Sequence, residues 1–437
     1  MSAESTPTIQ RKVVVAACFG TFLEWYDFLT FASLAVYFST LFFPADDPVA
    51  ALLASLGTFG VGMIVRPLGA ALFGSLGDRH GRRTIFLVTI VLMGVSTVLV
   101  GLLPTYEQVG LLAPALLLVL RMVQGLSVGG EIGGAAVYLT EHAPEGRRGL
   151  YTSVLQLMGP LGMMASTLQI ILLQQWLSDA DFRAWGWRIP FLLSALLLAI
   201  SIRSRMNLHE SPVFRQLREK NALSTTPLRE CFRDRETLGR MALLFFCVSA
   251  GGSLLFFSAQ VFTGVFLKTV LNLPSTAAGW LVTISTLALF PATLLCGWLS
   301  DKIGRRPVLL AGLILGALTI LPVFHGLAYF GSLPEPDTTM LVILLLVLVL
   351  PLACITGPQT ATLPELFPAR TRYTAVALPH NLAAGWIGGM SPFMVTWLGV
   401  HFGNPLAGLW YPTGLLILAA VVGLLFLPEV RNRPLAD

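Results

Sequence analysis

Charge is scarce in this chain: of 437 residues only 12% are Asp, Glu, Lys or Arg, about half the share of an average soluble protein. That rules out an ordinary soluble domain with a solvated charged surface. Cysteine is scarce too, and the five residues Cys18, Cys231, Cys247, Cys296 and Cys354 form no CxxC and none lies in an outside loop, so free thiols are expected rather than a disulfide framework or a redox centre. The six histidines are scattered at 80, 142, 209, 325, 380 and 401, and neither HExxH nor GxxxxGK[ST] occurs. With no nucleophile beside a base and no phosphate loop, an enzyme is not expected, and neither is a metal or an organic cofactor. A net charge of +5 and a pI near 9.1 do not imply a nucleic-acid partner, because the basic residues sit in short loops beside apolar runs and not on one face.

What the chain has is apolar length. A helix needs about 20 apolar residues to cross a bilayer, and twelve runs qualify, near 13–39, 50–77, 84–103, 109–139, 151–176, 188–203, 240–268, 276–299, 307–330, 339–363, 373–399 and 405–427. The first run is too long for a signal-peptide core and is expected to stay. The sixth becomes long enough only from about Arg183, with the Trp185-Gly186-Trp187-Arg188 aromatics at a membrane interface. Of the 28 Lys and Arg, 23 lie in the termini and the even-numbered loops, against Arg183, Arg188 and Lys268 on the other side. Both termini are therefore expected in the cytoplasm, with Asp46, Asp47, Glu107, Asp179, Asp181, Glu335 and Asp337 outside. One long hydrophilic stretch, about 204–239 with Glu210-Ser211-Pro212, divides residues 1–203 from 240–437 and is expected to be partly helical on the membrane surface.

The two halves repeat. Gly74-Ser75-Leu76-Gly77-Asp78-Arg79-His80-Gly81-Arg82-Arg83 returns 223 residues later as Gly297-Trp298-Leu299-Ser300-Asp301-Lys302-Ile303-Gly304-Arg305-Arg306, and Leu139, Glu141, Pro144 and Arg148 return 224 residues on as Leu363, Glu365, Pro368 and Arg372. Internal repeats of this kind build many transporters around a central substrate path. The decapeptide and its echo resemble the signature loop of the major facilitator superfamily. That resemblance implies an all-α membrane fold of two pseudo-symmetric six-helix bundles. It also makes Asp78, Arg79, Arg82, Asp301 and Arg305, with Glu141, Arg148, Glu365 and Arg372, a cytoplasmic gate.

Five charges fall inside spans: Glu24, Asp27, Arg66, Arg121 and Glu131. A charge at the bilayer centre costs about 3 kcal/mol or more, so each must face protein or water. Glu24 and Asp27 share a helix face, and two close carboxylates in low dielectric resist ionising together, which suits proton uptake and release; proton coupling is expected to run through Asp27 and Glu131, with Glu24 tuning them. Arg121, Gln124, Val128 and Glu131 form one stripe along the fourth span, expected to face a cavity. A guanidinium offers a fixed fork of donors for a carboxylate, so Arg66 or Arg121 is expected to hold an anionic substrate, unless either simply neutralises Glu24 or Asp27. The repeat counterparts of these five charges are apolar or small. In the second half the polar candidates are Gln260, His380 and Asn381, His380 matching Gln156 across the repeat, while Tyr26 lies between the two acids of the first span.

Glu24-Trp25-Tyr26-Asp27-Phe28, Arg66-Pro67-Leu68-Gly69, Arg121-Met122-Val123-Gln124-Gly125 through Glu131, Trp185 through Phe191, and Glu365-Leu366-Phe367-Pro368 with Arg372 resemble the metabolite:proton symporters of that superfamily. The resemblance implies a monomeric transporter in a bacterial inner membrane, with a proton as coupling ion. The expected substrate is a small organic anion, a di- or tricarboxylate such as 2-oxoglutarate, citrate or tricarballylate. The chain stops about ten residues after its last span, whereas the osmolyte branch often carries a long extension. The alternatives are a zwitterionic osmolyte such as proline or betaine, or proton-driven export.

Overall fold

The computed structural model describes residues 7–43, 48–206, 209–431 and 433–435; Asp46 and Asp47 lie outside them. Among the described residues there is no strand, as expected where lipid forces backbone groups to pair within the segment. The long helices follow the expected spans. They are α1 (Pro7–Phe42), α2 (Pro48–His80), α3 (Arg82–Leu102), α4 (Leu112–His142), α5 (Arg148–Trp176) and α6 (Gly186–Met206). After the linker come α7 (Arg235–Thr269), α8 (Ser275–Ile303), α9 (Arg305–Gly331), α10 (Thr338–Glu365), α11 (372–401) and α12 (Trp410–Phe426). Two short helices, Pro212–Glu219 and Pro227–Arg233, occupy the linker.

These helices pack as two compact units. The first holds the chain up to His142 with Met158–Leu228, and the second holds Ala143–Leu157 with the chain from Arg229 onward. Helix α5 changes unit at Leu157, just before Gly159-Pro160, where Pro cannot donate to the preceding turn.

Local chemistry sets the joints. Gly81 and Gly304, at φ of 116° and 111°, occupy a region that side chains disfavour. Each breaks one helix from the next within a single residue. Wide turns interrupt α7 at Leu244–Ser249 and Phe257–Phe262, and α11 at Ala383–Gly388, a feature frequent at functional sites. In the first unit Phe38, Phe42, Trp187 and Phe191 are buried together, with Phe38 edge-on to Trp187 at 5.4 Å between centroids. This seam ties α1 to α6. Trp185 is exposed but Trp187 is wholly buried, so Trp187 packs into the core and not at a membrane interface.

Candidate functional site

The sixth helix carries a charge that the sequence assigned to a loop. Helix α6 runs to Met206, not 203, and Arg205 in its last turn is 0% exposed. Away from the signature turn, the described residues of the first unit bury three carboxylates and three arginines, matched one to one. Glu24 on α1 lies 3.6 Å from Arg66 on α2, Asp27 on α1 lies 3.7 Å from Arg121 on α4, and Glu131 on α4 pairs with Arg205 on α6. The two acids of α1 thus each face an arginine.

The three pairs differ in completeness. Both oxygens of Glu131 are bonded, Oε1 by Arg205 Nη2 and Oε2 by Arg205 Nη1 at 3.1 Å and Thr89 Oγ1 at 2.9 Å. Arg205 also donates to the Phe86 carbonyl and stacks over the Phe86 ring at 3.5 Å. Asp27 Oδ2 accepts from Gln124 Nε2 at 3.0 Å, and the same amide reaches Thr97 at 2.9 Å. Asp27 Oδ1, Glu24 Oε2, and Nε and Nη2 of Arg121 are buried without a hydrogen-bond partner among the described residues. Buried polar groups are nearly always satisfied in folded proteins, so these atoms leave valences that a proton, water or ligand can fill. Arg121 is further held over the Phe31 ring at 3.6 Å.

The stripe of α4 is one face, as its spacing implies, but it is buried against helices. Arg121 and Gln124 meet α1, while Glu131 meets α3 and α6. Small residues allow this closeness: a Cβ on Gly125 would lie 2.9 Å from the carbonyl carbon of Gly62, and one on Gly129 would lie 2.6 Å from the Ala70 nitrogen. Tyr26 donates to Gln169 and to the Pro190 carbonyl at 3.1 Å, bracing α1 against α5 and α6.

The polar candidates of the second unit use neutral partners. His380 Nδ1 lies 2.9 Å from Ser249 Oγ, Gln260 accepts from Thr286 at 2.7 Å, and Gln156 donates to Thr360 at 3.0 Å. Asn381 donates to the Ala377 carbonyl at 2.8 Å. The first three contacts lie on separate helix pairs, and the last lies within α11.

The signature turns are built alike. Arg82 pairs with Glu141, both buried, and Asp78 is buried beside them in sequence while Arg79 is exposed. In the second unit Asp301 accepts from the amides of Gly149 and Leu150 at 2.8 and 2.9 Å and from Arg305 at 2.7 Å. A carboxylate at a helix start meets unpaired amides and the positive end of the dipole. Glu365 is held between Arg305 at 3.1 Å and Arg148 at 3.5 Å, and Arg372 donates to the carbonyls of Pro364, Phe367 and Leu435. Two further acids complete the symmetry, Glu210 having stood in the sequence only as part of the linker and Glu429 not at all. Glu210 accepts from the amides of Arg82 and Arg83, and Glu429 accepts from those of Arg305 and Arg306. Their signal was present: each is an acid a few residues beyond the last span of its half.

Residues 13–437 match the model of a family described as sugar (and other) transporters. An inner membrane metabolite transport protein of Escherichia coli is 36% identical, over 99% of this chain and 97% of its own length. A glycine betaine/proline/ectoine/pipecolic acid transporter of Dickeya dadantii is 33% identical over 97% of this chain and 84% of that protein, and a proline/betaine transporter of E. coli is 32% identical over 97% and 85%. A solved proton:xylose symporter shares the fold, with a TM-score of 0.76 at 20% identity over 98% of both chains. Helices, repeated turns and relatives agree: the chain is a membrane transporter of the sugar (and other) transporter family, with the twelve-helix major facilitator fold.

Proposed function

We propose that this transporter imports a small zwitterionic metabolite of the amino-acid or betaine type across a bacterial inner membrane, driven by protons. The one-to-one match of buried arginines and carboxylates away from the signature turn of the first unit carries this reading. No cationic surplus is left for a di- or tricarboxylate, and the spans of the second unit carry no Asp, Glu, Lys or Arg away from their end turns. A net-neutral lining suits a net-neutral solute. The transporters of betaine and proline among the relatives support the same choice over the organic acid first expected.

Arg121 is the proposed anchor for the substrate carboxylate. Its Nη1 faces Asp27, while Nε and Nη2, the pair that forms a fork, have no hydrogen bond among the described residues. Such a fork matches a carboxylate edge. Asp27 and Glu24 on α1 are the proposed proton carriers. When Asp27 takes a proton its hold on Arg121 weakens, so proton and substrate bind best together. The cluster of Asp301, Arg305, Glu365 and Arg148 holds residues 148–157 against α8 and α10, and its release is proposed as the cytoplasmic gating step.

The test is uptake into proteoliposomes with an imposed pH gradient, using labelled proline and glycine betaine beside citrate and 2-oxoglutarate. Uphill accumulation of a zwitterion that collapses with a protonophore is expected. Accumulation of citrate or 2-oxoglutarate alone, or uptake indifferent to the gradient, overturns the reading.

A further inference from the structure

Away from the signature turn, Glu24, Asp27 and Glu131 are the buried carboxylates of the first unit, and the sequence points to Asp27 and Glu131 as proton carriers with Glu24 tuning them. The geometry separates them. Glu131 receives two bonds from Arg205 and one from Thr89. Glu24 has its arginine at 3.6 Å and one oxygen without a hydrogen bond, and Asp27 has its arginine at 3.7 Å and likewise one such oxygen.

The environment of Arg205 is built for a permanent guanidinium. The side chain is wholly buried, one face lies on the Phe86 ring, and Nη1 is shared between Glu131 and the Phe86 carbonyl. On the remaining side stands Gly20 of α1. A Cβ at that position would overlap Nη2 of Arg205 and come within 2.6 Å of Glu131 Oε1. Gly20 lies one turn before Glu24. The pair thus joins α3, α4 and α6 and fills the notch that Gly20 leaves in α1, directly below the first of the two loosely held acids.

A proton on Glu131 would break a bidentate contact and take the paired carboxylate away from a buried cation. A proton on Glu24 or Asp27 interrupts only a longer contact and supplies a hydrogen to a carboxyl group with an unfilled oxygen. We infer that Glu131 and Arg205 are a fixed pin that stays charged through the transport cycle and seats α1 through Gly20. Glu24 and Asp27 alone then exchange the proton. Arg205 is a positioning residue, acting through the register of α1.

This inference rests on the proton-coupled reading proposed above, and double-variant analysis separates the two. In proteoliposomes, Glu131→Gln alone and Arg205→Met alone are expected to lower uptake more than tenfold, each leaving one buried group mismatched. The double variant Glu131→Leu with Arg205→Met replaces both charges by apolar groups. It is expected to recover gradient-driven uptake to within about threefold of wild type, with the wild-type pH profile, because a buried pair can be exchanged whole for apolar packing. A double variant that is folded and exchanges substrate by counterflow, yet no longer accumulates it or has lost the pH dependence, makes Glu131 a carrier and overturns the inference. Should the double variant not fold, Arg205→Lys decides. It keeps the charge and changes the donors facing Glu131, so an unchanged midpoint in the pH profile supports the pin and a displaced midpoint refutes it. If wild-type uptake itself ignores the pH gradient, the proton-coupled reading has failed and not the pin alone.

Discussion

The two units carry the same turns around unlike interiors. In both, a glycine of positive φ ends one helix, the arginine that follows it pairs with a buried glutamate, and an acid beyond the last span caps the next helix. Between the turns the resemblance stops. The first unit buries three ion pairs, whereas the second pairs serine, threonine, glutamine and histidine, as in Ser249 with His380 and Thr293 with Thr356. The difference teaches that the repeat conserves what ends and joins helices, because chain reversal poses the same backbone problem twice. The interior answers a different demand in each half. Charge is costly in a membrane, so concentrating it in one unit would confine the proposed proton chemistry there and leave the other to the proposed neutral recognition.

The sharpest way to break that comparison is to neutralise one residue on each side. Asp27→Asn keeps the acceptor for Gln124 but cannot ionise. Accumulation is expected to fall to the equilibrium ratio, a loss of more than tenfold, while counterflow exchange survives. His380→Gln keeps a partner for Ser249, and is expected to shift the half-saturating substrate concentration by about tenfold or less, the scale of one hydrogen bond, with uphill accumulation intact. Measuring both ratios in one proteoliposome preparation decides: loss of coupling in His380→Gln with coupling intact in Asp27→Asn would reverse the proposed division of labour.

The matched turns allow a stability comparison next. Arg82→Ala removes the guanidinium from buried Glu141, which is expected to cost about 3 kcal/mol, the scale of breaking a buried pair. Arg305→Ala is expected to cost less, about 2 kcal/mol, because Glu365 keeps Arg148 at 3.5 Å and Asp301 keeps two backbone amides. Thermal unfolding in detergent reads both. An equal or larger loss for Arg305→Ala would mean that the second cluster acts as one network.

Much of this architecture was legible in the chain before folding. Apolar length gave the spans, and the repeat offset tied Asp78 to Asp301 and Glu141 to Glu365. The failures have a common cause. A basic residue at the end of an apolar run looks like a positive loop residue whether it points to lipid headgroups or turns inward, so Arg205 was counted with the loops. Only the notch at Gly20 and the position of Glu131, more than 70 residues away in the chain, decide its direction. Pairing has the same difficulty: Glu24 and Asp27 share a face by spacing, but which arginine each meets depends on how α2 and α4 pack on α1. The exchange of residues 143–157 between units is likewise invisible to hydropathy, since both parts of α5 are apolar.

The smallest effect is expected at two helix starts in the linker region. Ser211 caps the helix Pro212–Glu219 through the Phe214 amide at 3.0 Å, and Asp234 caps the start of α7 through Thr237 and Glu236. Ser211→Ala is expected to cost about 1 kcal/mol at any pH, since a hydroxyl does not titrate in the working range. Asp234 differs. The hydroxyl of Thr237 at 2.6 Å, then its amide, hold the Asp234 carboxyl below its usual range. A carboxylate whose folded value is depressed contributes stability above the unfolded value, about 3.9, and loses it as the pH falls through the lower folded value. Asp234→Asn should therefore unfold at a lower temperature than wild type near neutral pH, and the gap should narrow on acidification below about pH 4. The gap between Ser211→Ala and wild type should stay constant over the same range. A gap for Asp234→Asn that is flat with pH would show that the cap acts through its geometry and not its charge.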